Sequence, residues 1–137
     1  MTHTLVLADR IDGAMTKTTL EMLTIARAHG TPVLVLTGAG AQDDVARATE
    51  YGAGVIVLDP AAPSEPVVRD VDLLEYAVKE YSPVLVLAAS TASGKETAAR
   101  LAVRLNTGIV TDAVGVSADL GIVQPIFGGA MTVTTTF

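Results

Sequence analysis

The sequence predicts a three-layer α/β/α sandwich on a mainly parallel, doubly wound sheet, and three observations lead to this prediction. Short Val- and Leu-rich runs alternate along the chain with segments of helical period. Half of the 137 residues are hydrophobic but only 4% are aromatic, which suits buried parallel strands covered by helices. From about residue 107 the helical period ends and β-prone pieces follow, which predicts a fifth strand and a C-terminal β hairpin or edge. No linker divides the chain, so residues 1–137 are expected to form a single domain.

Four apolar runs are the predicted strands of the parallel part of the sheet. They are continuous rather than alternating, as in strands that are covered on both faces. The pentapeptide Pro-Val-Leu-Val-Leu occurs in two of them, which indicates two central strands in the same environment. The predicted strands are residues 4–8, 32–37, 54–58 and 83–89.

The segments between the strands are predicted helices. In one of them Val67, Val71, Leu74 and Val78 recur at the spacing of a single helix face. The predicted helices are residues 15–29, 42–51, 67–81 and 94–105. Binding sites in such sheets lie at the carboxyl ends of the strands, which here are residues 8–10, 37–40, 59–60 and 89–94.

The composition excludes several classes of function. The net charge is −6 and no Lys/Arg cluster is present, which argues against binding to nucleic acid or to an anionic membrane surface. The absence of cysteine excludes disulfides, thiolate catalysis and Cys-ligated metals. No apolar run approaches the roughly 20 residues of a membrane helix, and the N-terminus lacks the pattern of a signal peptide. We therefore expect a cytoplasmic protein without membrane insertion.

The stretch STASGKE, at residues 90–96, raises the question of a phosphate-binding loop because it joins a predicted strand to a predicted helix. A Walker A loop requires Gly five residues before the Gly-Lys pair and a Ser or Thr after it. Here Ala89 stands at the first position and Glu96 follows Lys95. The stretch is therefore not a Walker A loop.

Three interpretations of this stretch remain open. Ser93 and Glu96 have the spacing of a capping box, in which each side chain bonds the backbone N–H of the other residue. Lys95 would then lie in the first helical turn, where the helix dipole disfavours a cation. A cation there could instead contact a partner or bind an anion. The residues of such an anion or partner site would be Ser90, Thr91, Ser93, Gly94 and Lys95.

The remaining polar candidates are predicted to be structural. Gly38 and Gly40 begin a dinucleotide-like pattern, but Asp43 stands where its third Gly should be, so we expect a turn. Asp9, Asp59 and Asp112 are typical strand-end residues with no spacing that joins them into a site. No nucleophile–base pair and no metal-ligand spacing is present, so neither catalytic nor metal-binding residues are predicted, and the chain is not expected to be an enzyme.

Residues 88–117 resemble the N-terminal domain of the electron transfer flavoprotein alpha subunit. That family carries a small-residue turn ending in Gly-Lys, a helix with Arg and Ala-x-x-Leu, and a strand containing Asp. The matching residues are Ser90, Ser93, Gly94, Lys95, Arg100, Leu101, Ala102, Leu105 and Asp112. A later segment resembles the family at Phe127, Gly128, Gly129 and Met131. The segments TLVLADRIDG and YGAGVIVLD also fit, so the resemblance spans the whole chain.

This resemblance implies a subunit of an FAD-dependent electron carrier that forms a heterodimer with a beta subunit. The complete protein would carry electrons from dehydrogenases to a quinone-linked respiratory acceptor. The first domain would supply scaffold and subunit interface, within an adenine-nucleotide-alpha-hydrolase-like fold. The FAD site would lie in a C-terminal domain absent from this chain, so no cofactor is expected for the chain alone.

Two alternatives of other classes are kept. The first is a stand-alone adenine-nucleotide-binding domain of the universal-stress or pyrophosphatase type, which shares the doubly wound sheet but uses a Gly-rich phosphate loop that is missing here. The second is a purely structural interaction domain. For the isolated chain, the uncharged segment 121–137 is expected to form an exposed apolar edge that self-associates.

Overall fold

The computed structural model describes residues 2–113, 115–116, 122–123 and 130–134, and the side chains of residues 2–108. The strands in these residues are β1 (His3–Leu7), β2 (Arg10–Ile11), β3 (Ala14–Met15), β4 (Thr31–Thr37), β5 (Val55–Asp59), β6 (Leu85–Ala89), β7 (Ile109–Ala113), β8 (Gly115–Val116), β9 (Ile122–Val123) and β10 (Ala130–Thr134). The helices are α1 (Lys17–Arg27), α2 (Val45–Glu50), α3 (Pro66–Tyr81) and α4 (Ala92–Leu105), with a 3-10 helix at Ala41–Asp44.

The main sheet has the strand order β5-β4-β1-β6-β10-β7. The first four of these strands are parallel, with β1 between β4 and β6. β10, the last strand in the described residues, is antiparallel to both of its neighbours, β6 and β7. Short antiparallel pairs join β2 to β3 and β8 to β9. The mainly parallel sheet that the sequence predicts is therefore confirmed.

Helices cover both faces of the sheet and enclose two apolar cores. On one face, α1 and α2 pack against alternate residues of the strands, such as Val6, Leu34 and Leu87. On the other face, α3 and α4 pack against the intervening strand residues, such as Leu5 and Val35. The central strand residues are almost fully excluded from solvent, which explains their continuous rather than alternating apolar sequence. The three-layer α/β/α architecture is thus confirmed.

The four predicted parallel strands all exist, and none of their ends differs from the prediction by more than two residues. The helix predicted at residues 67–81 is confirmed, and the one predicted at 94–105 begins two residues earlier. The segment 42–51 is divided between the 3-10 helix and α2 rather than forming one helix. The helix predicted at residues 15–29 begins only at Lys17, because Thr16 is its N-cap.

A short hairpin displaces the start of α1. Its strands β2 and β3 pair Arg10 with Met15, and two turn residues separate Ile11 from Ala14. Both turn residues have positive φ, 53° at Asp12 and 82° at Gly13. That geometry is the type I′ turn that Asp-Gly favours between two strands.

The exposed edge predicted at residues 121–137 is wrong for residues 130–134, which form β10. β10 pairs with β6 on one side and with β7 on the other, so its backbone is inside the sheet. The strand predicted after residue 107 is β7, and among the described strands it forms one end of the sheet. Residues 121, 124–129 and 135–137 lie outside the described residues.

Helices α3 and α4 lie side by side and are joined by Arg104. Its guanidinium contacts Asp72 at 2.6 Å and Glu75 at 3.6 Å. The hydrogen bond to Asp72 raises the pKa of Arg104 above its ordinary value. Because this pair is on the surface, its effect on stability should be small and screened by salt.

Candidate functional site

A polar cavity of about 220 Å³ lies at the carboxyl ends of β1, β4 and β6. The chain passes from β1 to β4 and β5 on one side and returns to β6 on the other side of β1, so the strand order reverses between β1 and β6. Ligands of open α/β sheets bind at this reversal point. The walls include residues 7–10, 37–38 and 69–70 and the beginning of α4. Three of the four strand ends predicted as site positions therefore meet here.

Arg10 forms one wall of the cavity and is held by four protein acceptors. Its Nε donates to the Asp44 carboxylate at 2.8 Å, in an ion pair whose side chains are 9% and 12% exposed. Its terminal nitrogens donate to the backbone oxygens of Thr37, Ala39 and Gly13, at 3.3, 3.1 and 3.0 Å. Every nitrogen of the guanidinium is therefore used within the protein.

A second arginine pair closes the side of the cavity formed by α3. Arg69 Nε donates to Asp70 Oδ1 at 2.8 Å, and Arg69 also donates to the backbone oxygen of Ala61 at 2.7 Å. The same Asp70 oxygen accepts from the Thr37 hydroxyl at 3.0 Å. This network joins the first turns of α3 to the end of β4 and to the loop between β5 and α3, which contains Ala61.

The first turn of α4 forms the opposite wall, and Thr91 is its N-cap. The Thr91 hydroxyl accepts from the backbone N–H of Gly94 at 3.1 Å. The predicted capping box is therefore wrong, because Ser93 lies inside the helix and Glu96 pairs with Arg100 at 3.2 Å. The helix begins two residues earlier than predicted, so the hydroxyl that caps it also moves back by two residues.

The five candidate residues of the anion or partner site do not all face the cavity. Thr91, Ser93 and Gly94 line it, whereas Ser90 and Lys95 are not among its lining residues. The Ser90 hydroxyl oxygen is buried and has no hydrogen-bond partner. Lys95 is exposed on α4. The middle of the predicted loop, residues 91–94, therefore contributes to the cavity wall, and its two end residues do not.

Two of the three aspartates considered from the sequence, Asp9 and Asp59, make local hydrogen bonds at the ends of their strands. The Asp9 carboxylate accepts from the Thr16 hydroxyl at 2.9 Å, and Asp59 accepts from the backbone N–H of Ala61 at 3.0 Å. The Asp112 side chain lies outside the described side chains. Within residues 2–108, no three His, Cys, Asp or Glu side chains come together as metal ligands would.

The turn predicted at residues 37–43 is confirmed at residues 38–40, whereas residues 41–43 belong to the 3-10 helix. Gly38 and Gly40 have φ values of 104° and 78°, which an L side chain rarely adopts. Gly38 also lies against Arg10, since a β-carbon there would be 3.1 Å from a guanidinium nitrogen. These glycines allow the turn to fold around the Arg10 side chain and do not form a phosphate loop.

The cavity does not fit FAD. Its volume of about 220 Å³ is below the range of roughly 300–1,000 Å³ that is usual for pockets of drug-sized ligands, and FAD is larger still. Asp9 and Asp70 contribute two carboxylates to its walls, together with two arginines that are already bonded to protein acceptors. The walls thus offer no uncompensated positive charge to a pyrophosphate.

Sequence reasoning missed the contributions of Arg69, Asp70 and Thr97 to this cavity. All three are on helices whose apolar periodicity identifies the buried face but not the strand end that a polar residue will reach. An Arg-Asp pair in the second turn of a helix is the only signal that the sequence offers.

In the described part of the chain, no helix is long and apolar enough to span a membrane.

Comparisons with known proteins identify the family. Residues 4–137 match the model of the electron transfer flavoprotein domain. The chain is 35% identical over 137 residues to the electron transfer flavoprotein subunit alpha of Mycobacterium tuberculosis, covering 97% of this chain and 43% of the relative. The Mycobacterium leprae subunit alpha is 33% identical with the same coverage. The Bacillus subtilis subunit alpha is 29% identical over 133 residues, covering 91% of this chain and 41% of the relative.

These matches confirm the resemblance that the sequence motifs indicated, and they do not favour the stand-alone adenine-nucleotide alternative. The chain spans less than half the length of the curated relatives that it matches. The match nevertheless includes almost every residue of this chain, the walls of the cavity among them. The chain belongs to the electron transfer flavoprotein domain family.

Proposed function

We propose that the chain is the N-terminal scaffold and interface domain of an electron transfer flavoprotein alpha subunit. The observation that carries this proposal is the match to the family domain over residues 4–137, together with alpha subunits as the relatives. The domain pairs with a beta subunit in a heterodimer. The FAD of the complete protein is bound by residues outside this chain.

The cavity supports a scaffold role over a nucleotide-binding one. A phosphate site needs donors that point at the ligand and are not already used by the protein. Here the Arg10 guanidinium bonds four protein acceptors and two arginines lie beside carboxylates. These bonds fix the loops after β1 and β4 relative to α3, which gives a rigid surface at the strand ends.

In this proposal the complete protein is a cytoplasmic electron carrier and not a catalyst of a substrate transformation. It receives electrons from dehydrogenases and passes them to a quinone-linked acceptor. The present domain contributes no group that touches the flavin. Its part is to hold its own sheet in shape and to present a surface to the beta subunit.

Two measurements on the purified chain test this proposal. In a titration of FAD followed by flavin fluorescence, we expect no saturable quenching. In gel filtration with the beta subunit of the same organism, we expect co-elution. Quenching with a micromolar Kd, which corresponds to about −8 kcal/mol, or a failure to co-elute would contradict the proposal. A thermal shift with AMP or ATP would instead support the adenine-nucleotide alternative.

A further inference from the structure

The strand β5 is an end strand of the main sheet and is partly open to solvent. It pairs with β4, and no other strand in the described residues pairs with its outer side. Four of its residues are half-buried and Leu58 is 41% exposed, whereas the residues of the neighbouring strand β4 are nearly all buried. Its sequence, VIVLD, carries no charge before Asp59. Lysines, prolines or bulges usually protect such an edge, and none lies within this strand.

The backbone geometry shows which groups of β5 point outward. The Asp59 carbonyl accepts from the N–H of Gly38, at 2.9 Å, so the backbone groups of Asp59 face the β4 side. The N–H and C=O of one strand residue point to the same side, and successive residues alternate. Those of Val57 and Val55 therefore face β4 as well, and those of Ile56 and Leu58 face away from the sheet.

We propose that this edge binds a second copy of the chain through antiparallel pairing of the two β5 strands about a two-fold axis at Val57. In this register Ile56 of each copy lies opposite Leu58 of the other. These are the two residues whose backbone groups face outward, so the pairing makes four backbone hydrogen bonds. Val55 lies opposite Asp59, so no like charges face each other.

The proposed interface is self-limiting and weak. Pro60 follows Asp59 directly and has no N–H, so the ladder ends there. A two-fold contact uses the same edge on both copies and closes as a dimer rather than extending into a fibre. A five-residue strand offers much less than the roughly 1,200–2,000 Å² that stable interfaces bury. The dimer should therefore form only at high protein concentration.

Sedimentation or light scattering across a concentration series tests the pairing with the 137-residue chain. We expect the average mass to rise from 14.1 kDa towards twice that value. Leu58→Lys places a charge at the edge of the sheet and should keep the chain monomeric. The matched control is Val103→Lys, which adds the same charge on α4 at a residue that is 81% exposed. It should dimerise as the wild type does.

Hydrogen exchange at low and high concentration adds a readout for each residue. The amides of Ile56 and Leu58 should gain protection as the dimer forms, while the inward-facing amides of Val57 and Asp59 stay protected throughout. A wild type that remains monomeric, a mass that grows beyond the dimer, or Val103→Lys blocking association as strongly as Leu58→Lys would overturn the proposal. So would association without protection of Ile56 and Leu58. None of these results bears on the beta-subunit proposal.

Discussion

Gly94, in the first turn of α4, lies against the carbonyl oxygen of Ala89 at the end of β6. A β-carbon on Gly94 would overlap that oxygen, and it would also approach the Thr91 hydroxyl to 3.1 Å. The obstacle is backbone, so it cannot move aside as a flexible side chain would. The Gly-Lys pair that suggested a phosphate loop thus has a packing explanation, because glycine lets the helix begin directly above the strand.

Replacing Gly94 with Ala should destabilise the fold. In an unobstructed helix interior, Gly→Ala stabilises by roughly 1 kcal/mol. Here the added methyl group must displace the helix from the strand, and overpacking of this kind costs typically 1–3 kcal/mol. Urea unfolding measures the change. Gly108→Ala is the control, because a β-carbon there meets no atom within 4 Å; a neutral Gly94→Ala would show that α4 can shift freely.

Thr91 rather than Ser93 should be the sensitive hydroxyl of this loop. The Thr91 side chain caps α4 through the N–H of Gly94, and the loss of an N-cap costs about 1 kcal/mol. Ser93 is exposed within the first turn, so Ser93→Ala should change the free energy of unfolding by less than about 0.5 kcal/mol. Urea unfolding of Thr91→Ala and of Ser93→Ala measures the two losses of stability. The reverse order would restore Ser93 as the cap.

Removing Arg10 should be among the more damaging single changes at the cavity. Arg10→Met leaves the Asp44 carboxylate, which is 12% exposed, without its cation. Breaking a buried ion pair in this way costs about 3–5 kcal/mol. The double variant Arg10→Met/Asp44→Ala should lose less than the two single changes added together, since the residues interact directly.

An exposed ion pair provides the control for that series. The Lys17 Nζ and Glu21 Oε1 atoms are 3.9 Å apart, and the two side chains are 89% and 61% exposed. Lys17→Met should therefore change stability by no more than about 0.5 kcal/mol. Strictly additive losses for Arg10 and Asp44 would mean that the arginine acts mainly through its three backbone acceptors.

The hairpin turn before α1 should be limited by backbone conformation rather than by space. Gly13 has a φ of 82°, and a β-carbon there would meet nothing within 4 Å. Gly13→Ala should therefore cost about 1–2 kcal/mol through the left-handed conformation alone. Gly13→Asn, which tolerates that conformation better, should recover part of the loss in the same thermal or urea melt. Equal losses for Ala and Asn would contradict this prediction, because backbone conformation alone should penalise Asn less than Ala.

The parallel strands and most helix positions could be predicted because local patterns determine them. Continuous Val/Leu runs indicate strands covered on both faces, and the face of α3 follows from its apolar spacing. The hairpin at residues 10–15 was missed although Asp12-Gly13 is a strong turn signal, because each of its strands has only two residues. The cap of α4 was misplaced because Thr91 and Ser93 both have suitable hydroxyls, and the local sequence does not show which of them precedes the first helical residue.

The cavity could be predicted only in part. The residues that follow β1, β4 and β6 were expected to meet, because parallel strands end at the same side of a sheet. The bonds between Arg10 and Asp44, and between Thr37 and Asp70, join residues more than 30 positions apart. No local pattern encodes such pairs. The place of β10 between β6 and β7 is likewise a long-range choice that composition and period do not show.

The intercalation of β10 also determines when the sheet can be completed during synthesis. β6 and β7 leave the ribosome before residues 130–134, yet neither is bonded to the other, and each needs β10 as its neighbour. Until then β6 has only β1 beside it, and its other side is unpaired. Pairings of this kind between distant residues raise the contact order and slow folding. A nascent chain therefore carries an incomplete sheet until β10 has emerged, and its unpaired strand edges are prone to aggregation during that interval.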